Sequence, residues 1–104
     1  MTWRLSVEPE AELDIEVAAE WHETERRGLG IAFLDAVRAA LAAVEREPLI
    51  YGELLPGLRR VKLRRFQHLL YFRVPHEDVI VIACLDGRRD PLLWRARVNS
   101  RGHD

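Results

Sequence analysis

The residues with the clearest capacity for chemistry are cations in the second half of the chain. Residues 58–74, LRRVKLRRFQHLLYFRV, alternate apolar and basic side chains at their start. Strict alternation is typical of a half-buried strand, because successive side chains point to opposite faces of a sheet. We therefore expect Val61 and Leu63 to face a core. The opposite face would carry the basic residues Arg60, Lys62 and Arg64.

Acidic and basic residues are segregated along the chain. Residues 1–56 carry 5 Lys+Arg and 12 Asp+Glu, a net charge of −7, whereas residues 57–104 carry 11 and 5, a net charge of +6. A patch of Arg on a sheet can hold phosphates or the carboxylates of an acidic peptide, and a solvated face with ordinary ion pairs is the third alternative. The sequence leaves all three open. The cations concerned are Arg59, Arg60, Lys62, Arg64, Arg65, Arg73, Arg88, Arg89, Arg95 and Arg97.

Other chemistries lack the residue spacing that they require. The four His residues are irregularly spaced, and no two form the i, i+4 pair or the short motif of a metal site. Cys84 lies in an apolar run, where a thiol behaves as a small hydrophobe rather than as a nucleophile. We expect His22 to be packed, the other three His residues to be exposed, and the protein to use no metal ion and no cofactor.

Length and composition indicate one domain. The chain has 104 residues, and 48% of them are hydrophobic, which is enough for one core. A lone Cys excludes an intramolecular disulfide and fits a reducing compartment. No apolar run has the length of a signal-peptide core or a membrane span. We expect a single domain over residues 1–104 that is soluble and cytoplasmic, without a membrane partner.

The first half of the chain predicts a short strand followed by two helices. Residues 3–7 alternate apolar and polar side chains, which favours a strand. Pro9 suits the first turn of a helix that should continue to about residue 27. The second helix should run from residue 29 or 31 to residue 47. The joint between them is short and contains GLG, so the two helices should form an antiparallel hairpin.

The second half predicts three strands. The apolar run VIVIACL indicates a central strand covered on both faces, or on one face plus a partner. In order, we expect a loop at 49–57, strands at 58–65, 68–74 and 79–85, a short helix or coil near 90–98, and a flexible tail at 99–104. The order β-αα-βββ predicts an α+β two-layer sandwich, with the helix hairpin packed on an antiparallel sheet.

The first helix carries two apolar stripes. One stripe is formed by Ala11, Ile15, Ala18 and His22 and the other by Leu13, Val17 and Trp21. Two stripes predict that the helix contacts two neighbours, the sheet and the next helix. The second stripe could also receive a partner, together with the loop residues Leu54 and Leu55. The acidic residues expected to face water are Asp14, Glu16, Glu20 and Glu23.

Several motifs occur in a fixed order along nearly the whole chain. They are VEPEAELDI at 7–15, AAEW at 18–21, GLGIAFLDAV at 28–37, PLIY at 48–51, RRVKLRRF at 59–66, LLYFRV at 69–74 and RRDPLLWRAR at 88–97. In combination they resemble the ParE branch of the ParE/RelE superfamily, the toxin halves of bacterial type II toxin–antitoxin pairs. The resemblance implies the β-αα-βββ fold.

The resemblance also implies a choice between two activities. ParE-like toxins are understood to poison DNA gyrase, whereas RelE-like toxins cut messenger RNA on the ribosome. The residues that match the nuclease branch are Arg60, Lys62 and Arg88 or Arg89. Leu69 stands where that branch has an Arg, and Trp94 at best replaces its terminal Tyr. The resemblance therefore favours a ParE-like gyrase inhibitor that is not an enzyme, with a ribosome-dependent ribonuclease or a degenerate antitoxin-binding module as alternatives.

The resemblance implies that an antitoxin tail wraps across the groove of the toxin. It leads us to assign one set of residues to antitoxin binding and another set to target binding. The expected antitoxin-binding residues are Leu13, Val17, Trp21, Arg60, Lys62, Arg64 and Arg73. The expected target-binding residues are Arg88, Arg89, Trp94, Arg95 and Arg97. We expect a hetero-oligomer with the antitoxin, and direct nucleic-acid binding stays open.

Overall fold

The structure is a computed structural model that describes residues 2–88 and 92–101, the second range without the side chains of residues 92, 93, 100 and 101. Two helices and five strands precede a C-terminal helix. The elements are β1 Arg4–Val7, α1 Pro9–Glu25, α2 Leu29–Arg46, a 3-10 turn at Pro48–Ile50, β2 Glu53–Leu55, β3 Leu58–Lys62, β4 His68–Arg73, β5 Asp78–Asp86 and α3 Leu92–Arg101.

The strands form one sheet in the order β1-β5-β4-β3-β2. β1 is parallel to β5, and the other neighbours are antiparallel. The predicted α+β fold is confirmed, and β5 lies inside the sheet between β1 and β4, as its apolar run indicated. The prediction of a wholly antiparallel sheet is wrong, because β1 is parallel to β5. The prediction of a loop over residues 49–57, which contain two Gly and one Pro, is wrong at β2, a strand of three residues with an irregular register with β3. Gly57, with a φ of 81°, completes the tight turn that joins these two strands.

Side chains on the two faces of the sheet form two apolar clusters. The α1–α2 hairpin covers one face, where Phe33, Leu70 and Phe72 are buried. Val61 and Leu63 also lie on this face, as the alternation predicted. The opposite face carries a smaller cluster, formed by Leu58, Tyr71, Ile82, Ala83 and Val98 with Trp94 beside it. α3 therefore covers part of the face that the two-layer prediction left open.

The helix hairpin depends on two glycines in the joint. Gly28 has a φ of 89°, which an amino acid with a side chain rarely adopts. The Glu23 carboxylate accepts hydrogen bonds from the backbone N–H groups of Gly28 and Gly30, at 3.1 and 3.0 Å, and so caps the start of α2. A Cβ at Gly30 would lie 2.8 Å from the Ala19 carbonyl oxygen. The predicted antiparallel hairpin is confirmed.

None of the helices within the described ranges combines the length and the apolar content needed for a membrane span.

Candidate protein-binding groove

A groove of about 890 Å³ lies between α1 and the adjoining ends of β4 and β5. Its outer wall is the second apolar stripe of α1, Leu13, Val17 and Trp21, which we call the exposed stripe. These side chains are 58, 56 and 54% exposed. Large apolar side chains this exposed, side by side along a groove, are typical of an interaction surface. The structure thus leaves this stripe uncovered by either the sheet or α2.

An aromatic cluster lies behind the exposed stripe. The ring of His22 lies 5.0 Å from that of Phe33, 4.9 Å from that of Phe66 and 5.7 Å from that of His68. Burial lowers the pKa of His22. The prediction that His22 is packed is confirmed, whereas the prediction that His68 is exposed is wrong, because β4 turns it into this cluster. Among the described residues, no group of three His, Cys, Asp or Glu side chains is placed to hold a metal ion.

An ion pair between α1 and α3 lies at the end of the groove that contains Leu13. Arg97 donates from Nη1 and Nη2 to the two carboxylate oxygens of Asp14, at 2.8 and 3.1 Å. These side chains are only 19 and 16% exposed, so the prediction that Asp14 faces water is wrong. Hydrogen bonding to Asp14 raises the pKa of Arg97. Arg97 was predicted to contact a target, but its guanidinium is engaged inside the protein.

The same pair satisfies backbone groups of β5. Ile82 is the extra residue of a β-bulge, since Tyr71 pairs with Ala83 while Phe72 pairs with Val81. The Ile82 carbonyl accepts a hydrogen bond from Arg97 Nη1 at 3.1 Å. Further along the strand, the Cys84 N–H donates to Asp14 Oδ2 at 3.0 Å. The bulge and the ion pair therefore form one hydrogen-bonded unit.

Arg88 and Asp86 form a second ion pair at the basic end of the groove. Arg88 donates from Nε and Nη2 to the Asp86 carboxylate at 3.1 and 2.9 Å, and its backbone N–H donates to the same group at 2.9 Å. Hydrogen bonding from the Arg88 side chain lowers the pKa of Asp86 to about 2. The Arg88 side chain is nevertheless 70% exposed, so it remains on the rim of the groove.

The turn between β3 and β4 brings a further cation to the groove. Arg65 is exposed, lines the groove and has a φ of 71°. Lys62 stabilises this turn by donating from Nζ to the Phe66 carbonyl at 2.7 Å. Arg64 also lies in the turn, so the prediction that β3 continues to residue 65 is wrong. The chain leaves the sheet at Leu63 so that Phe66 can enter the core.

Three of the remaining predicted cations, Arg60, Lys62 and Arg73, lie on the outer face of the sheet, whereas Arg59 pairs in register with Phe72 on the face that the helices cover. Arg60 pairs in register with Tyr71, and Lys62 pairs with Leu69. Tyr71 stacks on Trp94 with 5.9 Å between ring centroids, and the Arg95 guanidinium lies 5.3 Å from the centroid of the Trp94 ring. Burial raises the pKa of Tyr71. Arg73, at the end of β4, shares this face, whereas Arg89 lies outside the described residues.

The structure thus separates the predicted site residues into two surfaces. The exposed stripe and Arg88 line the groove, while Arg60, Lys62, Arg73, Trp94 and Arg95 belong to the outer face of the sheet. Leu54 is half-buried on the outer face, and Leu55 lies on β2 at the edge opposite β1. The sequence did not identify Arg65 as a groove residue, because the alternation placed it within the predicted strand and gave no sign of the left-handed turn.

Solved structures share this arrangement of helices and sheet. A chain of the chromosomal ParDE toxin–antitoxin system from P. aeruginosa superposes with a TM-score of 0.72, at 14% identity, over 80% of this chain and 94% of that one. The isolated E. coli RelE toxin superposes with a TM-score of 0.61, at 19% identity, over 94 and 98%. At these identities the similarity defines the fold alone, an α+β class that this chain shares with both structures.

The sequence assigns the family within that class. The model for the family described as "ParE toxin of type II toxin-antitoxin system, parDE" matches residues 5–91. The chain therefore belongs to the ParE toxin family. A search among curated proteins gives no significant match.

Proposed function

We propose that this ParE-type toxin inhibits DNA gyrase by binding and that a cognate antitoxin neutralises it by covering the groove. The observation that carries the antitoxin part is the exposed stripe of Leu13, Val17 and Trp21 along the groove. The toxin's basic surfaces complement an acidic antitoxin tail, which we assign to Arg60, Lys62, Arg64 and Arg73. Contacts with the target are assigned to Arg88, Arg89, Trp94 and Arg95.

The outer face of the sheet supports binding rather than catalysis. RNA cleavage requires groups that move protons and stabilise added charge on the phosphate. Lys62 pairs in register with Leu69, whose apolar side chain can neither move a proton nor stabilise charge on a phosphate. The Nζ of Lys62 donates a hydrogen bond to the Phe66 carbonyl in the turn between β3 and β4. Trp94 covers Tyr71 by stacking, and burial raises the pKa of that phenol, which makes it a poorer proton donor and leaves less of it ionised at neutral pH. These features support a toxin without nuclease chemistry.

Supercoiling by purified gyrase tests the target. We expect the toxin to inhibit supercoiling of relaxed plasmid in proportion to its concentration, and growth arrest on expression to show signs of DNA damage. A matched reaction with toxin premixed with antitoxin should recover full supercoiling. Unimpaired supercoiling at saturating toxin would exclude gyrase as the target.

The second candidate function is ribosome-dependent cleavage of messenger RNA. It is favoured by the placement of Arg60 and Lys62 on one face of β3, two residues apart. Primer extension on messenger RNA after induction would then show cuts at fixed codon positions, and the cuts should disappear in Arg60→Ala. If no such cuts occur and growth is not arrested, the chain is a degenerate antitoxin-binding module.

The exposed stripe supplies the test of antitoxin binding. Trp21→Asp places a charge in the middle of the proposed apolar contact, so co-purification with the antitoxin should be lost while the toxin stays folded. Ile31→Asp is the matched control, because Ile31 is 67% exposed on α2 and does not line the groove. Equal antitoxin recovery from both variants would contradict this placement.

A further inference from the structure

We propose that the end of the molecule formed by the helix joint and by the turn between β3 and β4 binds the phosphodiester backbone of duplex DNA. Four arginines supply the contacts, Arg26 and Arg27 in the joint and Arg64 and Arg65 in the turn, and we call them the arginine pole. The inference goes beyond the proposed function, because it assigns a nucleic-acid contact that requires neither the antitoxin nor gyrase.

The fold brings the two pairs of arginines to the same end of the molecule. The ring of His22, in the last turn of α1, lies 4.9 Å from the ring of Phe66 in the turn between β3 and β4. Arg26 is one helical turn beyond His22, since its backbone N–H donates to the His22 carbonyl at 3.0 Å. Arg65 directly precedes Phe66 in the chain. The joint and the turn therefore lie beside each other.

The charges of the arginine pole are not neutralised within the protein. All four side chains are exposed, and no acidic side chain within the described part of the chain forms an ion pair with any of them. Other surface arginines, such as Arg4 and Arg38, do have such partners. The Glu23 carboxylate beside the joint already accepts hydrogen bonds from two backbone N–H groups of the joint. Glu25 offsets one of the four charges, so the pole keeps a positive surplus.

Helix stability is the alternative explanation for part of the pole. A cation at the C-terminal end of a helix is stabilised by the helix dipole, and this applies to the arginines that follow α1. It does not apply to Arg64 and Arg65, because they lie in a turn between two strands. The joint is also an unusual place for cations, since residues 1–56 carry 5 Lys+Arg against 12 Asp+Glu and two of the five stand together there.

The backbone of Arg65 is an independent sign of function. Its φ of 71° is uncommon for a residue with a Cβ, and Gly adopts it without steric cost. Strained backbone positions are concentrated where a side chain serves binding or catalysis. An Arg is therefore unfavourable for this turn but suited to an exposed contact with an anion.

Phosphates in a duplex match this arrangement. A guanidinium can donate two parallel N–H groups to one phosphate, and duplex DNA carries one negative charge per about 1.7 Å of its axis. Cations that project from two adjoining turns can each meet a phosphate and release the counterions condensed on it. Arg64, which the proposed function assigns to the antitoxin tail, can bind either anion, so the antitoxin and DNA would compete for it.

The salt dependence of DNA binding by the isolated toxin tests the inference. Fluorescence anisotropy of a labelled duplex gives the association constant between about 50 and 200 mM salt. With four phosphate contacts, log K should fall with log salt at a slope of about −3 to −4. Arg26→Gln/Arg27→Gln should reduce the magnitude of this slope by about 2, and Arg65→Gly should reduce it by about 1.

Two controls separate binding from folding and from net charge. Arg38→Gln/Arg46→Gln removes the same number of charges from the surface of α2 as the double substitution in the joint, and it should keep the wild-type slope. The Tm of Arg65→Gly should stay equal or rise, since Gly relieves the strain.

The outcomes that overturn the inference leave the proposed function untouched. Absence of DNA binding by the wild type at low salt, or equal slopes for the wild type and Arg26→Gln/Arg27→Gln, would refute the arginine pole. If only Arg60→Gln/Arg73→Gln lowers the slope, DNA binds the outer face of the sheet instead. Tighter binding of single-stranded RNA than of the duplex at the same salt would refute the assignment to duplex DNA. Antitoxin binding and supercoiling are measured separately, so these results bear on the pole alone.

Discussion

At the scale of single residues, the Asp14–Arg97 pair is the contact that joins distant parts of the chain. The two residues are 83 positions apart, and their side chains are mostly buried. Asp14 accepts three hydrogen bonds, two from Arg97 and one from the Cys84 N–H. Removal of either partner would leave a poorly solvated charge and an unpaired backbone group, which costs more than the pair itself contributes.

Arg97→Ala should lower the free energy of unfolding by about 1–3 kcal/mol, because Asp14 loses two of its three hydrogen bonds and the Ile82 carbonyl loses its side-chain donor. Urea denaturation followed by circular dichroism measures this loss. Arg38→Ala is the matched control, since Arg38 pairs with Asp35 on the surface of α2 and both side chains are more than 60% exposed. That variant should change stability by less than about 0.5 kcal/mol. Equal losses in the two variants would contradict a special role for Arg97.

His22 should make the protein sensitive to mild acid. Burial lowers its pKa below 6.5, although Asp86 and Glu25 oppose that shift, and the ring of His68 faces it from β4. The folded state therefore keeps His22 neutral, and the unfolded state takes up the proton first. Stability is fully present above pH 6.5 and falls as pH decreases through 6.5 toward the folded value.

Urea midpoints measured between pH 7.5 and 5 test this dependence. His22→Phe should flatten the decline, while His76→Asn, at an exposed turn, should leave it unchanged. Asp86 cannot cause the same decline, because its pKa is about 2 and its contribution is lost only below about pH 4. A decline that persists in His22→Phe would assign the effect to another group.

At the scale of elements, the closeness of α1 and α2 depends on Gly30. A methyl group there would approach the Ala19 carbonyl to 2.8 Å and the Glu23 side chain to 3.0 Å, so the hairpin would have to open. We expect Gly30→Ala to destabilise the protein by about 1–3 kcal/mol, measured by thermal or urea unfolding. Gly52→Ala is the control, since a Cβ there meets nothing within 4 Å. It should be neutral or stabilise by up to about 1 kcal/mol.

The sequence predicts the elements that have clear periodicity. The two helices, β4 and the central β5 are within about two residues of their predicted bounds, because apolar side chains repeat at the helical or strand period. β2 and the end of β3 were not predicted correctly. Their structure depends on pairing with a neighbouring strand and on the burial of Phe66, and neither is visible in local alternation.

The candidate site was also predicted only in part. The exposed stripe was predicted, since three apolar residues at four-residue spacing exceed what one helix face needs to pack. The roles of Asp14 and Arg65 were not predicted from the sequence. Asp14 has the pattern of a solvated acid until α3 and the β5 bulge are placed beside it, and Arg65 has the pattern of a strand residue. Both assignments require contacts or backbone angles that only the folded chain provides.

At the scale of the whole molecule, the charge split along the sequence becomes a split between layers. Residues 1–56, which carry a net charge of −7, contain the helix hairpin, and residues 57–104, with +6, contain three of the five strands and α3. The helix layer is therefore acidic and the sheet basic. An acidic partner is attracted to the sheet side and repelled by the helix side, which orients its approach.

Binding of the antitoxin should therefore weaken as salt is added. Calorimetric titration between about 0.05 and 0.5 M NaCl should show a rise in Kd, because the Debye length shortens from more than 10 Å to a few ångströms. The double variant Arg60→Ala/Arg73→Ala should bind less tightly at low salt and depend less on salt. Arg38→Ala, in the helix layer, serves as the control. A Kd that does not change with salt would contradict electrostatic attraction by the sheet.

The parallel pairing of β1 with β5 also governs when the protein can fold during its own synthesis. The first strand has no partner until residues 78–81 have been made, and the groove needs Arg97 as well. Local helices can form early, but contacts between the two ends of the chain must wait. The sheet and the groove therefore cannot be completed before the segment that contains Arg97 has been synthesised.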